Sequence, residues 1–300
     1  MRALCVAAVL ALFSGAVAAQ TPSLEELKKP APNPAWNKFG VRGYETVELA
    51  PGLYTFGNGG ARNIFLVTSD GVIATDPVSP AFAKEMRAAI RKVTNQPVKY
   101  VVYSHQHWDH VLGGKIFKDE GAVFISHEKC VEHFKDLPNA DLVMPDFTFS
   151  NNYRLTLGGR TLDMLYFGKN HGDCLVVMRP DPGRIFFMPD LVTAGGLVGG
   201  TMNDYSLHNM VRTLKELEAM DFDYLVGGHG VPLAHKSAVN ERRRYLEALM
   251  AAVKEALDQG KSFDEIHKSV RLKEFDYMRN YKEFIERNVY RTRVYWEMGW

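Results

Sequence analysis

Residues 105–110 read HQHWDH, and this short segment limits what the chain can fold into more than any other feature. It places four candidate metal ligands within six residues, namely His105, His107, Asp109 and His110. Imidazole and carboxylate groups bind zinc and other first-row divalent ions. A histidine-rich surface loop without a function is the alternative, because short motifs also arise by chance. The segment predicts a metal site if the fold supplies further ligands.

Four apolar, strand-like runs each lead to a residue type that binds metals. Run 100–104 ends at His105, and run 162–167 is followed a few residues later by His171. The two later runs end at Asp190 and His229. A ligand that follows a strand is held rigidly and stays accessible at the rim of a sheet, where open α/β sheets bind their ligands. This regularity argues against a chance cluster.

The rest of the chain alternates between strand-like and helical patterns, which indicates an α/β fold of sheets covered by helices. The first predicted strands are expected to pair in antiparallel fashion, with a hairpin turn at 69–71. Strands are predicted over 47–56, 63–67, 72–75, 98–104, 122–126, 153–157, 161–167, 174–178, 184–188 and 224–226. Apolar residues at helical spacing predict helices over 80–93, 115–119, 128–135, 206–220, 237–257, 263–270 and 281–297.

The first 19 residues have the layout of a secretory signal peptide, with a basic start, an apolar run and the small residues AVA at 16–18. We expect cleavage after Ala18 or Ala19 and export to the periplasm or the medium. The apolar run is shorter than the ~20 residues that span a bilayer, so we expect no stable membrane insertion after cleavage. Residues 20–35 form a proline-rich arm, and 36–300 form the folded body with a helical C-terminal segment.

The chain of 300 residues has a formal net charge of +1, with 46% hydrophobic and 24% charged residues. This composition suits a soluble enzyme that acts on a small molecule, and it lacks the basic field that attracts nucleic acid. The sequence leaves open whether the chain forms a homo-oligomer. Removal of the signal peptide leaves Cys130 and Cys174, and the sequence does not decide whether they pair.

The order of HxHxDH, a later histidine, an aspartate and a final histidine resembles the metallo-β-lactamase superfamily across most of the mature chain. The resemblance implies a four-layer αββα sandwich, in which two mixed β-sheets are flanked by helices. It also implies two metal ions that share one bridging acid. The implied ligands are His105, His107 and His171 for the first ion, Asp109, His110 and His229 for the second, and Asp190 for the bridge.

The resemblance and the ligand types together predict hydrolysis by a hydroxide that two zinc ions share, with iron or manganese as alternative metals. Asp109 would bind the second ion and orient the nucleophile. The substrate would be an ester, thioester, lactone, lactam or phosphoester. His107 disfavours the oxygen-reducing diiron branch, which has glutamate there, and Asp190 disfavours the drug-hydrolysing branch, which usually has cysteine. A β-lactamase proper, a mononuclear iron dioxygenase acting on persulfides and a metal-binding protein without catalytic activity are the alternatives.

Two further residues are candidate substrate contacts. Tyr205 and His208 follow a glycine-rich stretch at 195–200, which comes after Asp190 and could cover the site. The histidines outside the ligand set otherwise lie in or near predicted helices. A solitary histidine there is more often structural or at the surface than functional.

Overall fold

A computed structural model describes residues 43–58, 60–197 and 199–299. The predicted signal peptide (1–19), the arm (20–35) and the predicted start of the body at residue 36 lie outside the described residues. Two mixed β-sheets lie face to face, and helices cover the outer side of each sheet. This confirms the four-layer αββα sandwich that the resemblance implied.

The first sheet contains seven strands that lie side by side in chain order. They are β1 Glu45–Ala50, β2 Leu53–Gly57, β3 Arg62–Val67, β4 Val72–Thr75, β5 Val98–Val102, β6 Val123–His127 and β7 Phe147–Phe149. Neighbours from β1 to β4 are antiparallel, and neighbours from β4 to β7 are parallel. Parallel neighbours need crossover connections, and here the connections contain helices that cover the outer face.

The second sheet contains six strands. They are β8 Tyr153–Leu157, β9 Arg160–Tyr166, β10 Val176–Pro180, β11 Ile185–Met188, β12 Tyr224–Gly227 and β13 Ala234–His235. These strands also lie side by side in chain order. Only the β11–β12 pair is parallel, and the other pairs are antiparallel.

Helices of the first half cover the first sheet, and helices of the second half cover the second sheet. The first group is α1 Pro80–Val93, α2 Trp108–Val111, α3 Lys115–Asp119 and α4 Glu128–Asp136. The second group is α5 Leu207–Ala219, α6 Ser237–Asp258, α7 Phe263–Ser269 and α8 Tyr281–Met298, with a 3₁₀ turn at Lys273–Phe275. In the described parts of the chain, no helix combines the length and the apolar character needed to cross a membrane.

Alternating side chains of each strand contribute to different cores, because successive residues of a strand point to opposite faces of a sheet. In β3, Ile64 and Leu66 pack between the two sheets, while Phe65 packs under the helices of the first half. In β10, Val176 packs between the sheets and Val177 under the helices of the second half. The molecule therefore has three apolar layers. The candidate metal ligands lie just beyond the ends of strands that run through these layers.

The predicted strand over 47–56 is wrong, because the chain turns in the middle of it. Pro51 and Gly52 separate β1 from β2, which pair as an antiparallel hairpin. Gly52 has φ of +74°, a left-handed conformation that glycine adopts without strain. A proline-glycine pair is a turn signal, and the apolar residues on both sides hid it.

Cys130 of α4 and Cys174, which precedes β10, form a disulfide with their Cα atoms 5.3 Å apart. Both cysteines are buried. The bond decides the pairing that the sequence left open. It ties a helix of the first half to the loop that carries His171.

Candidate metal centre

The HQHWDH segment leaves the carboxyl end of β5 and turns into the short helix α2. His107 is the N-cap residue of that helix and has an extended backbone, so the chain changes direction in the middle of the motif. The backbone N–H of His110 donates to the carbonyl oxygen of His107 at 3.0 Å. This turn sends the first two histidines toward one group of ligands, and Asp109 and His110 toward another.

The remaining predicted ligands come from the second sheet. Strands β11 and β12 are parallel neighbours, and Met188 is in register with Gly227. Asp190 and His229 each come two residues later, so the pairing of these strands places them side by side. His171 follows β9 and forms an isolated bridge with Tyr205. Ligands therefore reach the site from both sheets.

The structure brings all seven predicted ligands together in two adjoining groups. Within each group the candidate ligand atoms lie within 4.8 Å of one another. The first group is His105, His107, His171 and Asp190, and the second is Asp109, His110 and His229.

The Asp190 carboxylate lies between the two groups. Its Oδ2 is 3.6 Å from Nε2 of His105 and 3.4 Å from Nε2 of His171. Its Oδ1 is 3.4 Å from Nε2 of His110 and 3.3 Å from Nε2 of His229. One oxygen faces each group, which is the arrangement that a bridging carboxylate needs. Asp190 also has φ of +59°, and such backbone strain in a residue other than glycine clusters at functional sites.

The residues present fit metal ions. Nε2 of His105 and Oδ1 of Asp190 are buried and have no hydrogen-bond partner among the described residues. Leaving a buried polar atom unsatisfied costs about 1–3 kcal/mol, a cost that metal ions bound by the two groups would offset. Nδ1 of His107 lies 3.1 Å from Nε2 of His171, so two imidazole nitrogens converge in the first group. In the second group, the two Nε2 atoms of His110 and His229 are 3.4 Å apart.

Asp76 orients the second group from behind, and the sequence analysis missed it. The residue is fully buried and follows β4. Its Oδ1 accepts from the backbone N–H of Ser104 at 2.8 Å, and its Oδ2 accepts from the Ser104 hydroxyl at 2.6 Å. The same Oδ2 is 3.0 Å from Nδ1 of His110. A carboxylate in this position fixes the ring so that Nε2 faces a metal. The signal was present, because Asp76 also follows a predicted strand.

Asp204 orients the first group in the same way. The sequence analysis also missed this residue, although it selected the neighbouring Tyr205. Its Oδ2 is 2.7 Å from Nε2 of His107, and its Oδ1 is 3.5 Å from Nδ1 of His171. Burial alone would raise the pKa of Asp204, but the contact with His107 and the charge of His171 lower it to about 2. Asp204 therefore stays ionised as a partner for both rings.

Two of the candidate ligands, His105 and Asp190, have the protonation states that metals require. Burial lowers the pKa of His105 well below its usual value, and the neighbouring His110 adds to this effect. Burial opposes ionisation of Asp190, yet the charge of His110 and the close contacts with the surrounding histidines hold its pKa well below the usual range. A neutral imidazole and an ionised carboxylate are the forms that coordinate a metal. The hydrogen bond with His229 likewise lowers the pKa of Asp109.

A cavity of about 700 Å³ opens beside the ligands. Its walls include His107, His171, Asp190 and His229, the loop that follows Asp190, and the start of α8. Tyr205 lines the cavity, and its hydroxyl donates to the backbone oxygen of Asp190 at 3.1 Å. The volume suits a small organic substrate.

His208 lies elsewhere, although the sequence analysis grouped it with Tyr205. It is in α5, where its Nδ1 contacts the hydroxyl of Tyr295 in α8. Its ring is 5.4 Å from that of Trp296. His208 is not among the residues that line the cavity. The first turn of α5 directs it toward α8 instead of toward the ligands.

Two facing mixed sheets, with a histidine and aspartate cluster at strand ends of both, define a class of metal-binding α/β sandwich proteins. Residues 57–229, more than half of the chain, match the Metallo-beta-lactamase superfamily. The chain belongs to this superfamily. The matched residues include all seven candidate ligands.

Relatives of known activity differ from one another in the reaction that they catalyse. The chain is 24% identical over 278 residues to the 2,4-dinitroanisole O-demethylase subunit alpha of Nocardioides sp. (strain JS1661), an alignment covering 86% of this chain and 83% of the relative. It is 23% identical over 280 residues to the linear primary-alkylsulfatase of Pseudomonas sp. (strain ATCC 19151), covering 72% of this chain and 52% of the relative. The aligned region thus spans about half of the alkylsulfatase.

Solved structures share the fold at low sequence identity. The metallo-beta-lactamase from Pontibacter korlensis superposes with a TM-score of 0.61 and 20% identity, covering 68% of this chain and 99% of that protein. TMB-1 superposes with a TM-score of 0.60 and 16% identity, covering 68% of this chain and 97% of that protein. These likenesses show the fold.

Proposed function

We propose that the chain is a dinuclear metal hydrolase, with zinc as the expected metal, that cleaves an ester, thioester, lactone, lactam or phosphoester bond. The observation that carries the proposal is the Asp190 carboxylate, which presents one oxygen to each ligand group at 3.3–3.6 Å from the histidine nitrogens. When bound, two such ions supply hydroxide at neutral pH and polarise the bond under attack.

The residues of the chain would bind the two ions and orient the attacking water. His105, His107 and His171 would hold the first ion through imidazole nitrogens, a ligand set that keeps such an ion a strong Lewis acid. Asp109 is a ligand for the second ion, and its depressed pKa keeps it a carboxylate that can accept a hydrogen bond from the attacking water. Because its side chain is exposed, Asp109 is accessible from solvent.

The relatives widen the range of substrates to be tested. One relative is named for O-demethylation of 2,4-dinitroanisole, and another for hydrolysis of primary alkyl sulfates. A panel of a β-lactam, a lactone, a thioester, an aryl ester, a phosphodiester, an alkyl sulfate and 2,4-dinitroanisole on the purified mature chain is the first experiment. We expect metal-dependent turnover of at least one member, abolished by a chelator and restored by zinc. Absence of turnover across the whole panel would contradict the proposed bond types.

Asp109→Asn tests the catalytic assignment. We expect kcat to fall about 10²–10⁴-fold, the usual effect of losing a group that handles the proton of the nucleophile. Metal content and circular dichroism should show that the fold is retained. Asp136→Asn is the matched control, because Asp136 is an exposed acid at the end of α4, outside both ligand groups. Unchanged turnover in Asp109→Asn would contradict the mechanism.

Metal analysis combined with oxygen uptake separates the hydrolase from the dioxygenase. The two ligand groups predict two ions per chain and no oxygen consumption. One iron per chain with oxygen consumption would support the mononuclear dioxygenase instead. Turnover of the β-lactam in the same panel would support a β-lactamase.

We also propose that the chain is exported, acts on a small molecule and does not bind nucleic acid. The signal-peptide layout supports export, and so does the disulfide between Cys130 and Cys174, because such bonds persist in oxidising compartments. Cell fractionation and N-terminal sequencing of the mature protein test this. A mature chain that retains residue 1 in the cytoplasm would contradict it.

A further inference from the structure

Part of the wall of the cavity comes from the C-terminal part of the chain, beyond the residues that match the superfamily. Arg279 is in this wall, directly before α8. Its backbone N–H donates to the carbonyl oxygen of Gly195, and its own carbonyl oxygen accepts from the backbone N–H of Leu197, both at 3.0 Å. These two bonds anchor the residue against the loop that follows Asp190.

The guanidinium of Arg279 lies close to the metal ligands. A Cβ atom placed on Gly230 would be 3.1 Å from its Nη2, and a Cβ placed on Gly196 would be 3.3 Å from the same atom. Gly230 directly follows the candidate ligand His229. Two glycines therefore leave room for the guanidinium beside the second ligand group. A larger side chain at either position would force it to move.

This guanidinium has no hydrogen bond or ion pair with any residue in the described ranges, unlike the arginines that support the same loop. Arg242, for comparison, donates from Nη2 to the carbonyl oxygens of Thr193 and Gly196, each at 3.2 Å. Burial lowers the pKa of Arg279, and no carboxylate lies near enough to offset that effect. A half-buried cation without an anion is costly unless a ligand supplies the anion. Arg242 therefore already supports the loop that follows Asp190, and the guanidinium of Arg279 is not needed for that role.

We propose that Arg279 binds an anionic carboxylate-type group of the substrate while the metal ions act on a bond elsewhere in the same molecule. A guanidinium offers two parallel donors that match the two oxygens of a carboxylate. Leu197 and Phe284 line the same cavity and provide an apolar surface for the body of the substrate. The preferred substrate is then an organic acid with an apolar body. This inference rests on the proposed function, since it names the substrate class of that site.

Calorimetric binding of two isosteric probes to the metal-loaded protein tests the inference without turnover. The probes are phenylacetate, which carries the anion, and phenylacetamide, which does not. We expect phenylacetate to bind the unmodified protein about ten- to a hundredfold more tightly, the usual effect of hydrogen bonds to a charged group. Arg279→Gln should abolish this preference, and Arg279→Lys should restore part of it.

Lys282→Gln is the matched control, because it removes the same charge from an exposed position three residues further on. It should leave the preference unchanged, and thermal unfolding should show that each variant is folded. A preference that persists in Arg279→Gln would assign the carboxylate to the metal ligands and overturn the inference. Equal affinity of the unmodified protein for both probes would also overturn it. Because no reaction is needed, failure of the hydrolase proposal in the substrate panel gives a separate result.

Discussion

At the scale of single residues, the candidate ligands could be selected from the sequence, whereas the roles of the carboxylates that orient them became visible only in the structure. His105, His171, Asp190 and His229 could be selected because each follows an apolar run, which can be recognised without knowing the fold. Asp76 follows a strand as well, but its role depends on β4 lying beside β5, a pairing between strands that α1 separates. His208 shows the reverse error, since closeness to Tyr205 in sequence did not place it at the cavity.

Asp76→Asn tests the support of the second ligand group. The amide replaces one of the two acceptor oxygens with an NH₂ donor, so it cannot accept at both positions as the carboxylate does. Either the backbone N–H of Ser104 loses its acceptor, or the Ser104 hydroxyl and Nδ1 of His110 do. We expect zinc affinity of the second group to fall about 10- to 100-fold, the usual cost of losing such a partner. Competition titration with a chelator measures it. Asp70→Asn, in the exposed β3–β4 turn, is the control, and equal affinities in the two variants would contradict the role of Asp76.

At the scale of elements, most helices and strands were predicted, and the two shortest strands were missed. The observed ends of α1, α5 and α8 differ from the prediction by no more than one residue, because each buries residues at helical spacing along its length. β7 and β13 have three and two residues and were missed. Segments that short carry no periodicity, and only pairing with a neighbouring strand defines them.

Gly52→Ala tests the hairpin that the sequence analysis missed. A Cβ at this position would lie 2.9 Å from the carbonyl oxygen of Val67 and closer still to the Arg160 side chain, in addition to the strain of φ +74°. We expect the free energy of unfolding to fall by about 2–4 kcal/mol in denaturant titrations. Gly159→Ala is a matched control, because Gly159 has φ of +75° and no atom within 4 Å of such a Cβ. It should cost only about 1–2 kcal/mol, and equal losses would contradict the steric argument.

At the scale of the whole molecule, the sandwich followed from the family resemblance and not from patterning. Apolar alternation indicates that a segment is a strand, but it does not tell which strands share a sheet. Here β9 and β11 both pair with β10, and β12 joins β11 across the long α5 connection. The carboxyl ends of strands from two different sheets then meet at one site. That meeting depends on packing between sheets, which no local pattern encodes.

The Cys130–Cys174 disulfide closes a loop with a sequence separation of 44 residues. Its removal by Cys→Ala changes at both positions should lower the free energy of unfolding by about 2–4 kcal/mol, because the unfolded chain regains freedom. Thermal unfolding with and without a reducing agent measures it. The reductant should lower the melting temperature of the unmodified protein and leave that of the double variant unchanged. An effect of equal size on both would contradict the assignment of the loss to this bond.

The candidate ligands come from both sheets, so metal ions bound there would make metal supply a determinant of folding. Ions held by His105 and His110 on one side and by Asp190 and His229 on the other would act as removable cross-links between the two halves of the sandwich. At a free zinc concentration one hundred times the dissociation constant, each site adds about 2.7 kcal/mol to the free energy of unfolding. We expect a chelator to lower the melting temperature in proportion to the logarithm of free zinc, and a melting temperature independent of zinc would contradict this linkage. In a metal-poor environment, the chain would lose its resistance to proteases together with its activity.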